Sequence, residues 1–97
     1  NITATAMGGA FSASDGINNL TYSVYWNDVS SKNAGEQLMS YNVLLTGQTG
    51  ASTGQIDCSD EPGNVTARVR VEFLEADLAA ATVSTYTDTI TLSIAPE

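Results

Sequence analysis

Few side chains of this chain could carry out acid–base or nucleophilic chemistry. The chain has no histidine, so it lacks the usual general base at neutral pH and an imidazole ligand for a metal ion. Its one cysteine, Cys58, therefore has no histidine to convert it into a thiolate nucleophile. Paired carboxylates could act on glycosidic bonds, but no pair stands out by its spacing. The sequence predicts that the protein is not an enzyme and uses no cofactor.

Three acidic residues lie close together in one predicted turn, at Asp57, Asp60 and Glu61. Calcium prefers carboxylate oxygens, yet these residues lack the ligand spacing of a known calcium-binding loop. A solvated acidic turn explains them without an ion. We therefore expect no metal site.

Cys58 has two interpretations. A free cysteine is most often a small, buried hydrophobic residue. In a secreted domain it can instead be one half of a disulfide whose partner lay upstream in a longer chain. The sequence leaves both interpretations open.

The charge of the chain is sparse and acidic. Lys32, Arg68 and Arg70 stand against eleven acidic residues, giving a formal net charge of −8. Proteins bind nucleic acids and anionic membranes through basic patches, and no apolar run here is long enough to cross a bilayer. The composition argues against nucleic-acid binding and membrane insertion.

The length and residue types favour one β domain covering 1–97. A chain of 97 residues can bury roughly two-thirds of its unfolded surface, and an apolar content of 42% suffices for one modest core. Threonine is abundant, and β-branched side chains pack well on pleated strands.

Short segments in which apolar and polar residues alternate predict half-buried strands. The predicted strands are Asn1–Met7, Leu20–Asn27, Leu38–Thr46, Val65–Leu74 and Thr85–Ile94, with a short extended piece at Gln55–Cys58. The predicted loops are Ser12–Asn19, Asp28–Gln37, Gly47–Gly54 and Glu75–Ser84, the last with one helical turn. Five or six strands at this spacing indicate an immunoglobulin-like antiparallel β-sandwich, but that fold needs about seven strands. We therefore expect an incomplete sandwich.

The last predicted strand organises the rest of the chain. Ile90, Leu92 and Ile94 share one face of it, and threonines and a serine share the other. Only three residues follow, so this strand must border the first strand, expose an edge or borrow a strand from another chain. We favour the borrowed strand.

The segment Thr85-Tyr86-Thr87-Asp88-Thr89-Ile90-Thr91-Leu92 resembles the ending of spore-coat-U-like subunits, which form archaic chaperone–usher pili or their tip adhesins. A second segment, Leu20-Thr21-Tyr22-Ser23-Val24-Tyr25, is similar to an earlier Leu-x-Tyr-x-Leu-Tyr segment of that family. The two segments cover under a third of the chain.

The resemblance implies a bacterial surface pilus subunit, or an adhesin pilin domain, that serves adhesion or biofilm formation. Such subunits lack the last strand of their sandwich. A periplasmic chaperone fills the resulting groove, and a neighbouring subunit replaces it at the outer-membrane usher by donor-strand exchange. The protein would then be extracellular, reaching the cell surface through the periplasm. The implied groove is lined by Ile90, Leu92, Ile94, Val69, Val71 and Phe73.

The sequence departs from the family at both ends. Family members usually finish on an aromatic residue, and they carry first strands and a disulfide upstream of the matched region. We expect Asn1 not to be the natural mature start, which would also explain the lone Cys58. Asn1–Met7 is interpreted as an ordinary first strand, although a donor extension would show the same alternation.

The aromatic residues have structural interpretations. Tyr86 is expected to form a tyrosine corner with upstream backbone. Tyr22 and Trp26 fall on an apolar face and are assigned to the core, whereas Tyr25 faces the other way and could contact a partner.

Three glycosylation sequons keep an alternative function open. They begin at Asn1, Asn19 and Asn64. They suit a self-contained extracellular immunoglobulin-like binding module, which would need no donor strand.

Overall fold

The computed structural model describes residues 1–28, 35–48 and 67–95. These ranges form short antiparallel strands and one short helix. In chain order they are β1 (Ile2–Ala6), β2 (Ser12–Ser14), β3 (Asn19–Thr21), β4 (Ser23–Asn27), β5 (Gln37–Met39), β6 (Arg68–Glu72), α1 (Glu75–Ala80) and β7 (Ile90–Ile94). The predicted all-β class is confirmed.

β1 is a central strand of the core. Ile2, Ala4 and Ala6 are 1%, 0% and 7% exposed. β1 pairs antiparallel with β7, from Ile2 opposite Ile94 to Ala6 opposite Ile90. On its other side, Ile2 exchanges backbone hydrogen bonds of 2.9 and 2.8 Å with Leu45. The predicted first strand within Asn1–Met7 is therefore confirmed. One edge of β7 borders this first strand, so on that side the expectation of a strand borrowed from another chain is wrong.

β2 and β3 form a hairpin around the turn at Asp15. The Asp15 carboxylate accepts the backbone N–H groups of Asn18 and Ile17 at 2.6 and 2.9 Å. These two bonds hold the pKa of Asp15 well below its usual range, because they stabilise the charged form. Gly16 has a φ of 98°, a left-handed conformation that favours glycine.

The third sheet has the strand order β5-β4-β6. On its outer face the Arg70 guanidinium lies 4.2 Å from the centre of the Tyr25 ring. The same group donates to the Glu36 carboxylate at 2.8 and 3.0 Å and to Glu72 at 2.6 Å. Hydrogen bonding to Glu36 and then to Glu72 raises the pKa of Arg70 above its already high usual value.

The three sheets share one core. Buried side chains from all of them meet in one cluster: Ile2, Ala4, Ala13, Tyr22, Val24 and Met39. A backbone bridge between Ser14 and Thr87 also ties the β2–β3 hairpin to the segment before β7. The described ranges contain no helix long and apolar enough to cross a membrane.

The predicted single strand Leu20–Asn27 is broken at Tyr22. Its backbone N–H donates to the carbonyl of Phe11 at 3.1 Å, and the chain then leaves β2 to pair with β5 and β6. The predicted face is nevertheless correct, because Leu20, Tyr22 and Val24 are buried. The strand is broken because its first part, β3, pairs with β2, whereas its second part, β4, pairs with β5 and β6.

The predicted strand Leu38–Thr46 is wrong beyond Met39. Asn42 adopts a φ of 56°, and Val43 and Leu44 are 51% and 50% exposed. This turn brings Leu45 back to bridge Ile2. The contact between Leu45 and β1 therefore determines the path of this segment, and the local alternation of its residues does not.

Other predicted boundaries shift as well. Ser12–Asn19 was expected to be a loop but includes β2, because Ser12, Ala13 and Ser14 pair with β3. Thr85–Ile94 contributes a strand only from Ile90, and Glu75–Ser84 contains α1, close to the expected helical turn. Residues 49–66, including Gln55–Cys58, most of Gly47–Gly54 and the start of Val65–Leu74, lie outside the described residues.

A candidate strand-addition site between two edge strands

The six predicted groove residues lie on β6, at its end and on β7. Val69, Val71, Phe73 and Leu92 are 38%, 40%, 37% and 37% exposed, and Ile94 is 76% exposed. Ile90 is half-buried and packs against the core cluster. We call these six residues the open strip. Five of the six are large apolar side chains that the described fold leaves substantially exposed.

Backbone hydrogen bonds divide the residues of β7 into two alternating sets. Ala95 and Asn1 exchange hydrogen bonds of 3.1 and 3.2 Å, and the Met7 N–H donates to the Thr89 carbonyl at 3.1 Å. Antiparallel bonding repeats every two residues, so odd-numbered residues point their backbone groups toward β1. The N–H and carbonyl groups of Ile90, Leu92 and Ile94 therefore point away from β1.

The outward edge of β7 is free in the described part of the chain. No backbone group of residues 1–28, 35–48 or 67–95 bonds to the outward N–H and carbonyl groups of Ile90, Leu92 or Ile94. The same three residues carry the inward apolar side chains, since Leu92 lies opposite the buried Ala4. This edge can offer main-chain hydrogen bonds and apolar side chains together.

β6 is also an edge strand in the described sheet. It pairs with β4 on one side, and Val71 lies opposite the fully buried Val24. Val69 and Val71 therefore share the core-facing side of the sheet with Val24, although they are half-exposed. Apolar and polar residues alternate along β6 as predicted, but Val69 and Val71, which were expected to face a covered core, are more exposed than Arg70, which Glu36 and Tyr25 enclose.

Tyr22 links β6 to β7 at one end of the open strip. Its ring packs 5.4 Å from the Phe73 ring, centre to centre, and its hydroxyl donates a hydrogen bond to the Asp88 carboxylate. Burial raises the pKa of Tyr22 above its usual value, and the hydrogen bond to Asp88 and the Asp88 charge raise it further. Tyr22 is therefore neutral and fixed in place at physiological pH.

A cavity marks the other end of the open strip. Ile94 from β7 and Ala67, just before β6, line it together with Trp26 and Ile2. The start of β6 thus lies near the end of β7, and the end of β6 lies near the start of β7. The two strands therefore run in opposite directions.

The outward backbone groups of β7 and the open strip offer the two kinds of contact that an extended polypeptide makes. An added strand would satisfy the outward backbone groups of β7 and place every second side chain on the open strip. Main-chain bonds would supply affinity, and the alternation would fix the register. No group of three or more possible metal ligands occurs among the described residues. Cys58, Asp57, Asp60 and Glu61 lie outside them.

The aromatic residues lie largely where the sequence predicts. The Tyr86 hydroxyl donates to the carbonyl of Thr82 at 2.9 Å, the expected bond to upstream backbone. Tyr22 is buried, and Trp26 is half-buried at the edge of the core. Tyr25 faces the opposite side of its sheet, where it contacts Arg70 of its own chain.

Sequence reasoning missed the role of Asp88. Asp88 receives the Tyr22 hydroxyl bond, and its other carboxylate oxygen accepts the N–H of Thr89 at 2.8 Å. Its position before an alternating run was a weak signal for a group that fixes the start of a strand. Its partner lies 66 positions away, which no local pattern reveals.

No protein-family model, curated protein or solved structure matches this chain.

Proposed function

We propose that the protein is an incomplete immunoglobulin-like β-sandwich that a strand from a second polypeptide completes along β7. Its function is that of a structural subunit of a bacterial surface pilus, or of the pilin domain of a tip adhesin. It assembles by donor-strand complementation with a periplasmic chaperone and by exchange with neighbouring subunits at the usher. Its location is the extracellular surface, where the pilus serves adhesion or biofilm formation.

The observation that supports this proposal is the coincidence of two features on β7. The residues with outward backbone groups, Ile90, Leu92 and Ile94, also carry the apolar side chains of the open strip. An exposed strand edge with apolar side chains is an aggregation hazard that proteins usually cover. A donor strand would cover this edge and make it a specific interface between subunits.

One observation favours a second candidate function. β1 of the same chain already pairs with one edge of β7 and fills the core beside it. A sandwich closed in this way could be a self-contained extracellular binding module. The two candidates differ in whether the open strip binds a further strand.

Peptide binding tests the proposal. The probe is a nine-residue peptide with valine at alternate positions and threonine and lysine between them, and its fluorescent label reports binding by anisotropy. A second peptide of the same composition, with its valines contiguous, controls for non-specific hydrophobic binding. We expect saturable binding of the alternating peptide and clearly weaker binding of the control peptide.

Two variants of β7 assign the binding to the open strip. Leu92→Asp places a charge on the strip, whereas Ser93→Asp places the same charge on the opposite face of the strand. Each buried aliphatic side chain contributes about 1.5–3 kcal/mol, so we expect Leu92→Asp to weaken binding about tenfold or more. Ser93→Asp should bind like the wild type. If the wild-type protein is monomeric and binds neither peptide, strand addition is wrong and the self-contained module is favoured.

A further inference from the structure

A cavity of about 190 Å³ opens at the Ile94 end of the open strip. Ile2, Trp26, Ala67 and Ile94 provide its apolar walls. Polar groups come from Asn1, Asp28 and Gln48. The cavity is thus mainly apolar with a small polar part, which is the usual character of a small-molecule site.

The Trp26 wall is held in a fixed orientation. The indole N–H donates to the side-chain oxygen of Gln48 at 2.9 Å. The Gln48 amide in turn donates to the side-chain oxygen of Gln37 at 3.0 Å and to the Thr46 carbonyl at 2.9 Å. Because the indole N–H is already bonded, the ring serves the cavity as an apolar aromatic surface. A preformed wall of this kind lowers the entropy cost of binding.

The cavity volume matches a single aromatic ring. An apolar protein cavity of about 150 Å³ is large enough to bind benzene. The cavity here, at about 190 Å³, has room for a ring with one small substituent. An aromatic ligand also gains from ring–ring contact with Trp26, which a saturated ring of the same size cannot match.

We propose that this cavity is a binding site for small monocyclic aromatic molecules. The ligand ring packs against the Trp26 indole and between Ile94 and Ala67, and a polar substituent faces Gln48. This site does not depend on strand addition, because the preformed cavity needs no second polypeptide.

Tryptophan fluorescence tests this site directly, because Trp26 is the only tryptophan in the chain. Benzyl alcohol is the probe, and cyclohexylmethanol is its saturated counterpart of similar size. Excitation at the red edge of tryptophan absorption avoids the tyrosines and the probe. We expect a saturable change in Trp26 emission with benzyl alcohol. Its affinity should exceed that of cyclohexylmethanol by about two- to tenfold, the range expected for an aromatic pair. Equal affinities, or a change that never saturates, would overturn the proposal.

Two substitutions assign the signal to the cavity. Ala67→Phe fills it and should weaken benzyl alcohol binding about tenfold or more. Ala67→Leu is the smaller filling variant and should weaken binding in the same direction if the phenylalanine prevents folding. Leu38→Ala, at a 59% exposed position on β5, is the control and should bind like the wild type. Unchanged affinity in a folded Ala67 variant would place the ligand elsewhere and refute the assignment.

Discussion

Ala4 and Leu92 lie directly opposite each other across β1 and β7, yet Ala4 is fully buried and Leu92 is 37% exposed. They are a non-hydrogen-bonded pair, the type in which facing side chains approach most closely. The exposed fraction of the side chain therefore rises steeply from β1 to β7. Within the described residues, the core is closed around β1 and open along β7.

Because Ala4 on β1 is fully buried, we expect its site to tolerate no larger side chain. Replacement of Ala4 by leucine inserts volume into a packed site, and we expect it to lower the free energy of unfolding by about 1–3 kcal/mol. Urea unfolding measures the change. The control is Thr3→Leu, at a half-buried position on the opposite face of β1, where the added volume is less confined. An equal loss in both variants would mean that burial at Ala4 is not what limits its size.

The hydrogen-bond pattern of β7 predicts opposite effects of proline at neighbouring positions. Proline has no N–H, so Ser93→Pro removes a bond to β1 and should lower the melting temperature clearly. Ile94→Pro removes an outward N–H and should leave the fold nearly as stable while weakening binding of the alternating peptide.

Ile94→Ala separates the loss of the side chain from the loss of the N–H in the proline experiment. We expect Ile94→Pro to bind peptide more weakly than Ile94→Ala does. If Ile94→Pro unfolds the protein as readily as Ser93→Pro, the assignment of the β7 edges is incorrect.

Tyr22 predicts a loss of stability in alkaline solution. Its pKa is raised in the folded protein above the ordinary value of 10.0. The unfolded chain therefore loses its phenolic proton first, and stability falls as pH rises above about 10. Urea unfolding between pH 8 and about 11 should show a smaller fall in Tyr22→Phe than in the wild type. Tyr25→Phe, at a position that does not bond to Asp88, should retain the wild-type fall.

The Arg70 cluster predicts a salt-dependent contribution to stability. Arg70→Gln removes the charge together with the paired bonds to Glu36 and the planar contact with Tyr25. We expect a lower melting temperature at low salt, and a smaller difference from the wild type in high salt because ions screen the lost charge pair. Arg68→Gln on the same strand is the control, with a smaller expected effect at every salt concentration. A difference that does not change with salt would assign the effect to packing.

Alternation alone identified β1 and its buried face, because burial on one side imposes a period of two. It also located β6 and β7, but most of their apolar side chains are exposed in the described fold. It failed where tertiary contacts redirect the chain, as at Tyr22 and at Asn42. The open strip was predictable as a set of apolar residues on two strands. Its end contacts, from Tyr22 to Phe73 and Asp88, join residues far apart in sequence that no local pattern relates.

The pairing of β1 with β7 has a consequence for biosynthesis. Asn1 and Ala95 are separated by 94 positions, so the first strand meets its partner only after the ribosome has added the residues between them. At usual ribosome speeds of about 5–20 residues per second, that wait lasts roughly 5–20 seconds. Contacts between the two ends of a chain also form slowly, because a long loop must close first. During this interval the nascent protein exposes Ile2 and its neighbours, and it is then most vulnerable to misfolding.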